Sequence, residues 1–500
     1  MDARGTGLHR GFDWPTVIVV ALAAVAFANA ALYISFATIP FVTSDGWYFV
    51  DAFLQKYYNG GVTLQDLYMK RSADDHAQPL QKLLLIWNAD HFDLDFVVES
   101  YVGLGIAALA WLLMLLAARH DNRMAGPGRW WALPMAASAA SFVSLSGGMV
   151  FNWSLVTLGY LGPLAVVLMA LSAWHAVDRN RWWPFLLTVL LVVFSLDTSA
   201  LICAIATGGA LLLGELKTRG AVRRRTLAAL AVLAITVGAY SYISRAYLYP
   251  NAAAGAEMAG VSVLLELGWA KLSNMLLAIA ALTIADKQGA LTRLFADPDV
   301  PHRLLGAMVI GAHAWFWWRA ARDRWNQTQF LAVCLMLFCY GAIAGIVLGR
   351  VPIFGPDYVF QQRYLMMYQL GTVAIALMAA GSRWRDWTAM QRRIVGAAAV
   401  GLMVMQLPLS STTWEEAPYV QAYGNNLGRQ ILLLGIDPSM RLASCAPTLV
   451  VCTASREEQV RSIELLREHR LNAFSEPMLE RYYLQPLKRY PGPAEVVPAP

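Results

Sequence analysis

Two short stretches of this chain hold acids and cations at spacings that suit chemistry. The first is Thr43-Ser-Asp-Gly-Trp-Tyr-Phe-Val-Asp51, where Asp45 stands just before a run in which Trp47, Val50, Leu54, Tyr57 and Tyr58 recur at helical spacing. Two readings of it stand side by side. Ser44 or Asp45 caps that helix, or Asp45 presents a carboxylate at a membrane surface, on an aromatic-rich helix lying in the headgroup layer. Farther on, Asp74-Asp75-His76-Ala-Gln-Pro79 precedes a second apolar stretch, Leu80 to Trp87, which Pro79 is suited to start. A solvated capping loop is again the plain reading. The functional one makes Asp45, Asp75 and His76 candidates for acid–base catalysis, or gathers Asp45, Asp74, Asp75 and His76 around a divalent cation such as Mg or Mn. Asp90, His91, Asp93 and Asp95 follow that stretch and could substitute in either role.

The second stretch opens Gly349-Arg-Val-Pro-Ile-Phe-Gly-Pro356 and ends Asp357-Tyr-Val-Phe-Gln-Gln-Arg-Tyr364. Arg350 and Arg363 bracket it. Each either snorkels to the membrane interface or holds phosphate, because the planar guanidinium fork grips two oxygens and never deprotonates. A carboxylate in one loop and arginines in another suit sugar transfer from a phosphate-linked lipid. The acid takes the proton of an acceptor hydroxyl while the cations hold the leaving phosphate. No second carboxyl is required, since phosphate leaves without the protonation a glycosidase must supply.

Such loops need a scaffold, and composition states its kind. Of 500 residues, 58% are hydrophobic and 14% charged, against roughly a quarter charged in soluble proteins. An all-α integral membrane protein follows, and soluble enzymes, nucleic-acid binders and disordered scaffolds are excluded. At about 20 residues per crossing, apolar runs at 14–40, 97–118, 130–147, 154–176, 183–197, 200–214, 226–248, 303–318, 328–348, 365–381 and 394–410 predict about 11 transmembrane helices, within a range of about 11 to 13. The first run is too long for the core of a cleaved signal peptide, about 7 to 15 residues.

Under this count the clusters Arg119/Arg123/Arg129, Arg179/Arg181, Lys217/Arg219/Arg223/Arg224/Arg225, Arg319/Arg322/Arg324 and Arg383/Arg385/Arg392/Arg393 all fall on the cytoplasmic side, with the amino terminus. The net charge of +6 therefore reports topology first. Residues 250–302 must contribute an even number of crossings, which a re-entrant or surface-lying helix or a second hidden crossing would satisfy. Asp197 is expected at the water-exposed turn between 183–197 and 200–214.

The expected organisation is a membrane domain over 1–410, containing the first extracytoplasmic loop at 41–96, and a small extracytoplasmic domain over 411–500. That tail carries a helix from Ser455 to Arg467 and a proline-rich end. Cys445 and Cys452 lie in it, either as a local disulfide or as two buried thiols. No nucleotide-binding glycine loop or zinc-type spacing is present.

The layout resembles the GT-C class of polytopic glycosyltransferases, and within it a group of bacterial multi-span proteins. The matching residues are Ser44-Asp45-Gly46-Trp47, Asp75-His76, Gly349-Arg350, Phe354-Gly355 and Arg363-Tyr364, with a late Leu-x-x-Phe at Leu471 to Phe474. Ala77-Gln78 follow the acidic-His pair where that group tends to carry arginine. The resemblance implies transfer of a sugar from a polyprenyl phosphate donor to an envelope glycan, lipid or protein. The reaction would lie on the outer face of a bacterial inner membrane, with Asp45 as base and Arg350, Arg363 and Tyr364 at the donor phosphate. A carrier or flippase for lipid-linked glycans, or a non-catalytic subunit, is the competing expectation.

Overall fold

Inside a bilayer the backbone has no water to bond, so long apolar runs satisfy their amides within helices. The computed structural model describes residues 13–72, 76–125, 129–196, 198–217, 223–245, 248–253, 261–285 and 291–481. Its principal helices are α1 (Trp14–Ala37), α2 (Pro79–Phe92), α3 (Phe96–Ala125), α4 (Ala132–Phe142), α5 (Leu161–Arg179), α6 (Trp182–Leu196) and α7 (Thr198–Lys217). They continue with α8 (Arg224–Arg245), α9 (Val261–Leu282), α10 (Asp299–Arg322), α11 (Gln327–Phe354), α12 (Leu365–Ala380), α13 (Ala389–Ile436) and α14 (Arg456–Glu468). Two short strands, Lys70–Ser72 and Leu248–Ala253, pair in parallel.

Among the described residues, 7 helices are long and apolar enough to cross a membrane: α1, α3, the helix ending in α5, α7, α8, α11 and α13. Ile18, Val25 and Leu32 on α1 and Ile235 on α8 face outward, a surface that only lipid covers at low cost. The chain is an all-α, multi-pass membrane protein. The run expected to cross at 130–147 instead gives a helix of 11 residues, α4. It stops at Val143, and the chain refolds into a short helix, Gly148–Asn152. Gly147 is required there: a Cβ would lie 2.9 Å from the Gln362 carbonyl oxygen.

The basic clusters share one end of the bundle. Arg119 pairs with Asp13 at 3.0 Å, Asn122 donates to the Ala380 carbonyl at 2.9 Å, Asn326 donates to that of Gly381 at 2.7 Å, and Lys217 to that of Ala320 at 2.7 Å. The segment around α9 returns to the opposite end. Met275, Ile279 and Leu282 share a core with Val347, Val351, Val359 and Leu365, and Leu277 closes on Gly306. Helix α9 itself breaks at Gly268, whose φ is 73°, a conformation suited to glycine.

Helix α13 spans 48 residues, about 72 Å at 1.5 Å per residue, more than twice a hydrocarbon core of about 30 Å. The domain border expected at 410 therefore falls inside one continuous helix, which carries Pro408 and Pro418 in its interior. Its far half joins the segment between α1 and α3 and the tail in a single core. Trp47, Phe53 and Leu54 pack there with Leu427 and Ile431 of α13 and with Ile463 and Leu466 of α14. Loop and tail form one body.

Candidate functional site

The chain leaves α1 along the Gly148–Asn152 turn, where Thr38 Oγ1 donates to the Phe151 carbonyl at 2.7 Å and Ile39 N to that of Asn152 at 2.9 Å. Ser44 then takes a left-handed conformation, φ 46°, while its amide donates to the Thr448 carbonyl of the tail at 2.7 Å. Asp45 follows, half-buried. Its backbone precedes a single helical turn, Gly46–Tyr48, and its side chain makes no capping bond there. The expected regular helix is interrupted: Phe49–Leu54 is a π-helix before Gln55–Gly60 resumes α geometry.

Asp74 and Asp75 lie outside the described residues. His76 is half-buried, just ahead of Gln78, whose φ of 51° turns the chain into α2 at Pro79. Among the described residues no group of three His, Cys, Asp or Glu side chains is placed to hold a metal ion.

Of the acids in the last turn of α2 and just beyond it, Asp90 and Asp95 have structural partners. Tyr57 donates to Asp90 at 2.7 Å. Asp93 adopts φ 52° at the end of α2. Asp95 accepts from Val97 N at 2.8 Å and pairs with Arg481 at 3.3 Å. Burial raises the Asp95 pKa against the opposing pull of Val97 N and Arg481. His91 Nδ1 lies 3.0 Å from the Trp87 carbonyl oxygen.

On the other side of the Gly148–Asn152 turn, Met149 N donates to Gln362 Oε1 at 3.3 Å. Next to it the Arg363 guanidinium lies over two phenol rings, 5.4 Å from the Tyr358 centroid and 5.1 Å from that of Tyr364. It also donates to the Tyr358 hydroxyl. Its Nε is buried and has no acceptor. Arg350 is exposed at the end of α11. Burial raises the Tyr364 phenol's pKa, while the nearby Arg363 and Arg350 charges pull it down. Neither arginine forms an ion pair with a described carboxylate, Asp45 included. The two loops meet through residues 147–152 rather than by direct contact of these side chains.

Behind Ser44–Trp47 lies a crevice that sequence reading did not anticipate. Thr43, Gly46, Phe49, Gln81, Glu99 and Ser154 are among its lining residues. Glu99, in the first turn of α3, is 4% exposed. It accepts from Asn88 Nδ2 at 3.0 Å and from Ser154 Oγ at 3.2 Å. The signal was present: an acid inside an apolar run predicted to begin at 97 is expensive enough there to need a reason.

In the tail, Cys445 and Cys452 are joined as a disulfide, with their Cα atoms 6.5 Å apart. No protein-family model, curated protein or solved structure matches the chain.

Proposed function

We propose that the protein is a GT-C-type membrane glycosyltransferase. It moves a sugar from a polyprenyl phosphate donor to an envelope glycan, lipid or protein on the extracytoplasmic face of a bacterial inner membrane. The observation that carries this reading is the cradle around Arg363. A guanidinium with an unused buried Nε–H and no acidic partner is flanked by Tyr358 and Tyr364. It lies one short turn away from the loop that bears Asp45. The basic clusters at the other end of the bundle support a cytoplasmic position for that end and an outer position for the site.

In this reading Arg363 and Arg350 hold the donor phosphate, and Asp45 accepts the proton of the attacking hydroxyl. The bond between the anomeric carbon and the phosphate oxygen breaks with its electron pair leaving on phosphate, while the acceptor oxygen bonds to that carbon. Tyr364 stacks on Arg363 and keeps its fork oriented.

The test is a comparison of extracted envelope lipids and glycans from cells carrying the native chain or Asp45→Asn. Loss of one glycosylated product in the variant, with the protein still folded in the membrane, is the expected result. Unchanged products would remove Asp45 from the role of base.

A further inference from the structure

Glu99 is a buried acid with no cation at ion-pair distance among the described residues. From α2, Gln81 Oε1 reaches the same crevice, sealed from solvent and without a hydrogen-bond partner. Buried carbonyl oxygens are nearly always satisfied in folded proteins. An acceptor-rich wall of this kind lacks its donor.

The remaining walls are apolar and largely aromatic: Phe41, Phe49, Leu85 and Trp153 among them. The cavity measures about 30 Å³, which holds two water-sized groups when each needs about 10 to 15 Å³. Its rim includes Phe49, where the π-helix of the loop begins. Such irregularities are common where a ligand is bound.

We infer that this crevice reads two neighbouring hydroxyls of a neutral sugar and rejects a sugar that carries a carboxylate. The substrate class rests on the transfer reading above; the chemistry of the pocket stands on its own residues. Hydroxyl donors satisfy Gln81 Oε1 and the spare lone pairs of Glu99, and those two groups fill the cavity. A uronic acid would set a second carboxylate beside Glu99, with acceptors on both sides and no cation between them.

The experiment uses the full chain in lipid nanodiscs and two photoactivatable probes, an alkyl glucoside and the matching alkyl glucuronide, with crosslinks mapped by mass spectrometry. The glucoside is expected to label residues 39–49 or 153–158 saturably, and the glucuronide to bind at least tenfold more weakly. Gln81→Leu is expected to weaken glucoside labelling at least fivefold without lowering the melting temperature, because its Oε1 has no partner to lose. Glu99→Gln is expected to bring the two probes within about threefold of each other. Equal labelling by both probes, labelling confined to other segments, or indifference to Gln81→Leu would overturn the inference. Saturable crevice labelling in a protein whose removal changes no envelope product would count against the transfer reading alone.

Discussion

Asn472 Nδ2 donates to the Leu94 carbonyl oxygen at 2.7 Å and to that of Pro40 at 3.0 Å, binding the tail to both ends of the segment between α1 and α3. Its Oδ1 accepts from Val42 N at 3.2 Å, and its own amide donates to the Asp93 carbonyl at 2.6 Å. The residue is fully buried with φ 54°, a left-handed conformation that asparagine tolerates better than most residues. The late Leu-x-x-Phe element is thus a clamp, since Asn472 lies within it.

Asn472→Ala should destabilise the loop–tail body by about 2 to 4 kcal/mol, because three buried backbone groups lose their partner at about 1 kcal/mol or more each. Thermal unfolding in detergent, together with limited proteolysis between α13 and α14, measures this. A variant that melts with the native protein would show that the hydrophobic core alone holds the tail in place.

Asp45→Asn should lower transfer by about 10²- to 10⁴-fold, the usual contribution of a positioned general base. Melting is measured alongside, so that a loss of transfer is separated from a loss of folded protein. The rate is read with purified protein and a polyprenyl phosphate sugar once the product is known.

Arg363→Lys should raise the KM for the donor about tenfold or more, since an ammonium replaces the planar fork and loses its stacking on Tyr358 and Tyr364. Arg363→Ala should cost more. A KM unchanged in both variants would place the donor phosphate elsewhere.

Asp95 sets a pH dependence. Burial holds its folded-state pKa above the ordinary aspartate value of 3.8, so the folded protein binds this proton more tightly than the unfolded chain. The associated stabilisation is present below pH 3.8 and is lost as pH rises through the folded-state value. Asp95→Asn keeps an oxygen for Val97 N and should flatten that slope, with its largest gain in melting temperature at neutral pH. A steeper slope in the variant would reverse the assignment.

Reducing the Cys445–Cys452 bond, or replacing both residues by serine, should loosen the tail by about 2 kcal/mol, a value suited to a short closed loop. Because that segment meets the loop bearing Asp45 through Ser44 N and the Thr448 carbonyl, glucoside labelling of the crevice should fall in parallel with tail stability. Labelling that persists after the tail melts would separate the two.

Much of this architecture was legible in one dimension. Apolar runs of the right length announce helices regardless of tertiary context, since lipid offers amides no alternative partner. Arginine clusters recurring between the runs marked which helix ends share a side, and contacts such as Asn122 with Ala380 gather those ends together. Helix α14 was likewise readable from the serine cap at Ser455, whose side chain accepts from Glu458 N. Length was the weaker signal. The run at 130–147 looked sufficient to cross, but Gly147 and Gly148 let the chain turn where the Gln362 carbonyl approaches. The border drawn at 410 falls within a single helix, because polar residues after Pro408 continue it.

The sequence by itself determined that this is a helical membrane protein, which ends of its helices carry the basic charge, and which two loops hold acids and arginines. Only the tertiary structure decided that the tail closes over the first loop, that Arg363 is held between Tyr358 and Tyr364, and that Glu99 and Gln81 share a crevice. The reason is physical. Transfer into lipid is a sum over neighbouring residues and can be read along the chain, whereas a buried hydrogen bond depends on groups brought together from distant positions, as Asn472 and Pro40 are across 432 residues.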